Sequence, residues 1–118
     1  MTSAPITVKL PREPGAPRRA RALLREHAGG LDAERLDSAV LLISELVTNA
    51  VLHGTGEIRL IIDIDGDDAR FAVADEGDGT PAVSEAPGPD GGWGLRLVGQ
   101  LSNRWGVLEQ RTQVWFEI

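Results

Sequence analysis

Cysteine is absent from this chain of 118 residues, so disulfide bonds and thiolate–metal sites are excluded at the outset. A reducing compartment suits such a chain. Lysine is almost as scarce: Lys9 is the only one, which leaves no obvious candidate for lysine-centred catalysis. No uninterrupted apolar run approaches the roughly 20 residues that a bilayer span requires. The first residues also lack the basic-then-apolar order of a secretory leader. Basic charge is in deficit, with 12 Lys and Arg against 18 Asp and Glu, a net of 12 − 18 = −6. That balance argues against a broad nucleic-acid or anionic-membrane surface. The expectation is a cytoplasmic protein with no direct nucleic-acid partner and no membrane partner.

What remains is enough for one core. The hydrophobic share is 42%, and the whole span 1–118 is expected to form a single domain with a disordered start at 1–5. Charge is unevenly placed. Arg12, Arg18, Arg19, Arg21 and Arg25 crowd the first quarter, while acids gather between 57 and 90. A basic first helix suits an acidic partner; a solvated helix face is the commoner explanation of the same pattern.

Periodicity predicts the elements. A short strand is expected at Ile6–Leu10, a turn-rich break at 11–17, and a helix at 16–28 closed by Gly29 and Gly30. Asp32 is the candidate N-cap of a longer helix reaching His53. At about 100° per residue, Leu36, Val40, Ile43, Val47 and Ala50 share one face of that helix. Glu45, Asn49 and His53 fall within an arc of about 80° on roughly the opposite face. Strand patterns at 57–64 and 69–75 flank Asp65, Gly66, Asp67 and Asp68, the signature of an antiparallel hairpin. Residues 76–92 read as loop, 94–102 as a short helix, and 104–108 with 113–118 as a second hairpin turning near Arg111 and Thr112. The order β-α-α-β-β-loop-α-β-β predicts an α/β two-layer sandwich. Its sheet is expected to be mixed but mostly antiparallel, with helices on one face.

Three segments carry chemistry. In the first, Asn49 offers a hard amide oxygen suited to Mg²⁺, which takes its other ligands from water and nucleotide phosphates. Glu45, one turn earlier, is placed to orient or deprotonate an attacking hydroxyl. The alternative for this spacing is a solvated polar face. In the second, Asp75 ends an apolar strand and is followed by Gly77 and Gly79. A carboxylate there can accept a hydrogen bond from the exocyclic amine of adenine, and the glycines allow close backbone approach. The alternatives are an acidic glycine turn or a fragment of a calcium loop; the latter lacks its twelfth-position Glu and flanking helices. In the third, Gly91, Gly92, Trp93, Gly94 and Leu95 open a helix, where free N–H groups and the helix dipole can hold phosphate. It is neither a Walker loop nor a dinucleotide fingerprint.

In this order, the three segments resemble the histidine-kinase-like ATPase superfamily, the Bergerat ATP-binding fold. Glu45, Asn49 and His53-Gly54 look like its N box, Asp75-x-Gly77-x-Gly79 its first glycine box, and Gly92-x-Gly94-Leu95 its second. The resemblance runs from about residue 6 to 118 and is greatest to the small bacterial anti-sigma-factor serine/threonine kinases. It implies ATP and Mg²⁺ as cofactors, with Asn49 as metal ligand, Asp75 on adenine, and Gly77 and Gly79 shaping the pocket. Gly92, Gly94 and Leu95 would present backbone to phosphate. Glu45 would be the general base that activates a serine on a partner protein. His53 would support the site edge or be structural, and Trp93 would cover the nucleotide or pack beneath the lid. The implied partners are ATP or ADP, a sigma factor and a small antagonist protein; homodimers are common in that branch.

One departure stands out. The family's last hairpin often carries Gly-Lys-Thr, whereas Arg111, Thr112 and Gln113 stand here. If Gln113 takes the place of an adenine-holding Thr, that contact is altered. The departure favours a non-catalytic, ATP-gated interaction module, while the intact Glu45 favours the kinase.

Overall fold

The computed structural model describes residues 5–76, 100–108 and 113–118. Over these the chain forms β1 (Ile6–Leu10), α1 (Ala16–His27), α2 (Ala33–His53), β2 (Ile58–Asp65) and β3 (Asp68–Ala74), then β4 (Arg104–Leu108) and β5 (Gln113–Glu117). The expected disordered start falls outside the described residues apart from Pro5. So do residues 94–99 of the expected 94–102 helix, whose described end is helical at Gln100 and Leu101 but not at Ser102, and the turn at Arg111 and Thr112.

Local chemistry explains where the helices begin. Pro17 stands at the first turn of α1, where its missing N–H is no loss. Asp32 caps α2 from extended backbone, its carboxylate accepting the Arg35 N–H at 3.2 Å, and Glu34 adds negative charge at the same end. Between β2 and β3, Asp65 pairs with Asp68, so Gly66 and Asp67 alone make the turn. Gly66 has φ +62° and no described non-glycine residue has positive φ, which is the pattern of a type II′ hairpin.

The sheet has five strands in the order β1-β2-β3-β5-β4. Every described pairing is antiparallel, so the mixed character expected from sequence does not occur among them. Two successive helices between β1 and β2 reverse the chain twice, which returns β2 antiparallel, whereas a single crossover helix would return it parallel.

Alternation gives the sheet two unlike faces. On the inner face Leu10, Ile58, Leu60, Ile62, Phe71, Val73, Val114 and Phe116 are buried against Leu24, Val40, Ile43 and Val47 of the helices. Phe71 and Phe116 are register partners whose ring centroids lie 5.4 Å apart. On the outer face a cross-strand row of alternating charge runs Asp63, Arg70, Glu117, Arg104. Arg70 pairs with Glu117 at 2.9 Å and stacks 4.1 Å from the centre of the Trp115 ring. These groups are partly exposed, so each ion pair contributes only about 0–1 kcal/mol. Trp115 and Phe116 thus divide as strand alternation requires, one half-buried outside and one in the core.

Longer side chains tie the layers together. Arg21 of α1 donates to Ser44 Oγ of α2 at 2.8 Å, and Arg35 donates to the carbonyls of Asp67 and Ile118, the latter at 2.6 Å. α2 is long enough and apolar enough on average to cross a bilayer even though its apolar runs are short. Its buried residues Ala39, Val40, Leu42, Ile43, Leu46, Val47 and Ala50 show the apolarity to belong to a core helix.

Phe116→Ala removes a fully buried ring from the one aromatic pair of the core among the described residues. The expected loss is about 3–5 kcal/mol of unfolding free energy. A urea titration should show the midpoint falling with little change in its slope.

Candidate functional site

The last turn of α2 is where the core face of the helix runs out. Leu42 and Leu46 are buried at 0% and 4% exposure. At about 100° per residue, Leu42 projects between Asn49 and His53, and Leu46 about 20° beyond His53. The stripe of Glu45, Asn49 and His53 therefore does not lie opposite the core, as periodicity alone suggests. It continues the buried flank of Leu42 and Leu46 toward the end of the helix. Glu45 and Asn49 are half-buried and His53 is exposed. The helix is buried over a wider arc than the single predicted face, Leu42 and Leu46 adding to Val40, Ile43, Val47 and Ala50.

Asp75 follows β3 on the same side as Phe71 and Val73, and at 9% exposure it is the one buried charged side chain among the described residues. It lies directly against the end of α2. A Cβ built on Gly54 would stand 2.2 Å from Asp75 Oδ2 and 2.8 Å from its Cγ. Glycine at 54 is thus a steric requirement, and it brings the carboxylate onto the strap that leaves the helix carrying Asn49 and His53.

That strap, residues 54–57, is held from both sides. Gly54 N–H donates to the Ala50 carbonyl at 3.0 Å, and Glu76 N–H donates to the Thr55 carbonyl at 2.9 Å. Gly56 adopts φ +69°, and the Glu76 carboxylate occupies the space a side chain there would need, with Oε2 1.8 Å from a built Cβ. The same Oε2 accepts the Glu57 N–H at 2.6 Å. From the other side Arg12 donates through Nε to the Gly56 carbonyl at 3.1 Å, and through Nη1 to the carbonyls of Ala50 and Val51, the latter at 3.1 Å. Its Nη2 is buried and makes no hydrogen bond among the described residues.

The structure therefore seats Asp75 on Gly54, the residue that ends the helix carrying Glu45, Asn49 and His53 at one-turn intervals. Gly77, Gly79, Gly92, Trp93, Gly94 and Leu95 lie outside the described residues. Gln113 pairs with Ala74 and shares the outer face with Trp115, on the opposite side of the sheet from Asp75. Sequence reasoning missed Arg12 and Glu76. Arg12 counted only as one of five basic residues, and Glu76 only as the residue between Asp75 and Gly77. The positive φ demanded of Gly56 was the available hint for the second.

The sequence profile of the histidine kinase-like ATPase domain matches residues 10–118. No curated protein matches the chain. Among solved structures, the crystal structure of the RsbU and RsbW domains of Rv1364c from Mycobacterium tuberculosis matches 98% of this chain, with a TM-score of 0.75 and 26% identity. This chain spans 31% of the length of that one.

The contact between residues 54 and 75 can be tested without any ligand. Gly54→Ala should destabilise the fold by about 1–3 kcal/mol, as overpacking against a fixed group does. Gly15→Ala, where nothing lies within 4 Å of the added carbon, should leave thermal unfolding nearly unchanged. Equal melting shifts in the two variants would contradict the close approach.

Proposed function

Since the chain belongs to the histidine kinase-like ATPase family, we propose that it is a Mg²⁺-ATP-dependent regulatory serine/threonine kinase of the anti-sigma-factor type. It transfers the γ-phosphoryl group to a serine of a small antagonist protein. The observation that carries the reading is the seating of Asp75 on Gly54, which joins the first glycine box to the N-box helix. It is supported by the likeness to a chain described as containing an RsbW domain.

In this reading Asp75 accepts the exocyclic amine of adenine. A buried carboxylate at the bottom of a pocket distinguishes an amine from a carbonyl strongly, because the wrong base leaves it unpaired. Asn49 supplies a single oxygen to the metal. Among the described residues no group of three or more His, Cys, Asp or Glu side chains could form a protein-only cage. Mg²⁺ keeps several waters and takes phosphate oxygens, needing only one or two protein oxygens, so a single hard amide oxygen fits. The ion would neutralise charge on the phosphates. His53 lines the edge, and Gly77, Gly79, Gly92, Trp93, Gly94 and Leu95 supply the remaining pocket and phosphate contacts.

Glu45 acts on the acceptor. Its carboxylate takes the serine proton as the serine oxygen–phosphorus bond forms and the bond to the β,γ-bridging oxygen breaks, releasing ADP. Half-burial keeps Glu45 reachable by a partner side chain. The partners in this reading are a sigma factor and its antagonist, which places the protein in the cytoplasm. The second reading is the non-catalytic, ATP-gated interaction module, which draws on the changed last hairpin; there Gln113 lies on the outer face, and Arg111 and Thr112 lie outside the described residues.

Calorimetric titration with ATP, with and without Mg²⁺, tests the binding half. Asn49→Ala should lose at least tenfold in the Mg²⁺-dependent part of the affinity, and Asp75→Asn should lower binding of ATP further. Glu45→Ala should bind ATP within about twofold of the parent while phosphotransfer falls by about 10²–10⁴, the usual worth of a general base. Labelled ATP incubated with small regulators encoded beside the gene measures transfer; full transfer by Glu45→Ala would sink the base assignment.

A further inference from the structure

A helix C-terminus leaves its last four carbonyls without intrahelical donors. Many helices answer this with a left-handed glycine that folds the chain back. α2 does not: Gly54 leaves it in extended conformation, with φ −83° and ψ −175°, so only its single N–H bond to Ala50 closes the end. The donors come instead from Arg12, in the connection between β1 and α1. Its guanidinium reaches the carbonyls of Ala50 and Val51 on the helix and that of Gly56 on the strap. A planar fork can serve several acceptors at once and stays charged at all working pH values, and positive charge is favoured at this end of a helix.

The same strap carries Gly54 against Asp75 and is gripped from the far side by Glu76. We infer that Arg12 is a positioning residue of the nucleotide site. It fixes the exit of α2 so that Asp75 seats on Gly54 and stands at a set distance from Asn49. It acts through the backbone, at the carbonyls of Ala50, Val51 and Gly56. The inference rests on the proposed nucleotide site for its ATP consequence, but its geometric core concerns the free protein.

Two measurements separate these parts. Amide hydrogen exchange of the ligand-free protein reads the strap at three N–H groups: Gly54, Glu57 and Glu76. In Arg12→Ala these should exchange at least tenfold faster relative to the β2–β3 amides, which report global unfolding. Arg12→Lys keeps the charge but not the fork and should fall between the two; it is the variant to read if Arg12→Ala does not fold. Unchanged exchange at the three amides, or the same acceleration everywhere, overturns the assignment.

The second measurement is a double-mutant cycle on ATP affinity. Arg12→Ala should weaken binding at least tenfold in the parent but no more than about threefold when combined with Asp75→Asn, because the two changes then remove one arrangement. Independent, multiplying losses would show that Arg12 does not work through Asp75 and would refute its positioning role. If the parent protein binds no Mg²⁺-ATP, the nucleotide reading falls, and the exchange result alone decides whether Arg12 sets the strap.

Discussion

The carboxylate of Asp75 occupies the volume that a side chain on residue 54 would need, and most of the working end of this chain is arranged around that contact. A helix from the upper layer and a strand from the lower one can meet this closely only where the helix has stopped and its next residue has no Cβ. Ending the helix there exposes carbonyls, which Arg12 answers. Leaving it requires an extended strap, which passes through a positive φ at Gly56 and is gripped by Glu76. Each of these devices is local, yet all of them serve one distance between layers.

The same economy of position shows in α2 itself. Its first turns bury Ala39, Leu42, Ile43 and Leu46 in the core, and its last turn continues that flank with Asn49 and His53. One helix is thus structural at one end and available for chemistry at the other. The polar stripe is held in place by packing it does not share, since the buried residues of the preceding turns fix the rotation of the helix about its axis. A rotation error of one residue, about 100°, would bury the amide and expose a leucine.

Much of this was legible in the residues. Strand alternation put Trp115 and Phe116 on opposite faces without saying which was buried, Asp32 marked the start of α2, and Gly66 lay in the expected β2–β3 turn. The spacing of Glu45, Asn49 and His53, followed by Asp75 and Gly54, named the elements that meet. What escaped was of one physical kind. Arg12 bonds to carbonyls 38 to 44 positions away, and no period or local propensity reports such a partner. The stripe seemed opposite the core because a helical wheel assumes one narrow buried face, while α2 is buried over a wider arc. The sheet was expected to be mixed because the double reversal made by α1 and α2 was not followed through to the direction of β2. The glycine segments beyond Glu76 lie outside the described residues, so their part in the site still stands on their spelling alone.

The strand order has a consequence for how the protein is made. β5 is the last strand in the chain, yet it sits between β3 and β4. During synthesis, β1, β2, β3 and both helices leave the ribosome with β3 as a bare edge, its row of N–H and C=O groups unmatched. β4 cannot cover it, since its only partner in the sheet is β5. The nascent domain therefore carries a sticky edge until β5 emerges, at about 5–20 residues per second. A ribosome that stalls just short of β5 would hold a nearly complete chain in its most aggregation-prone form.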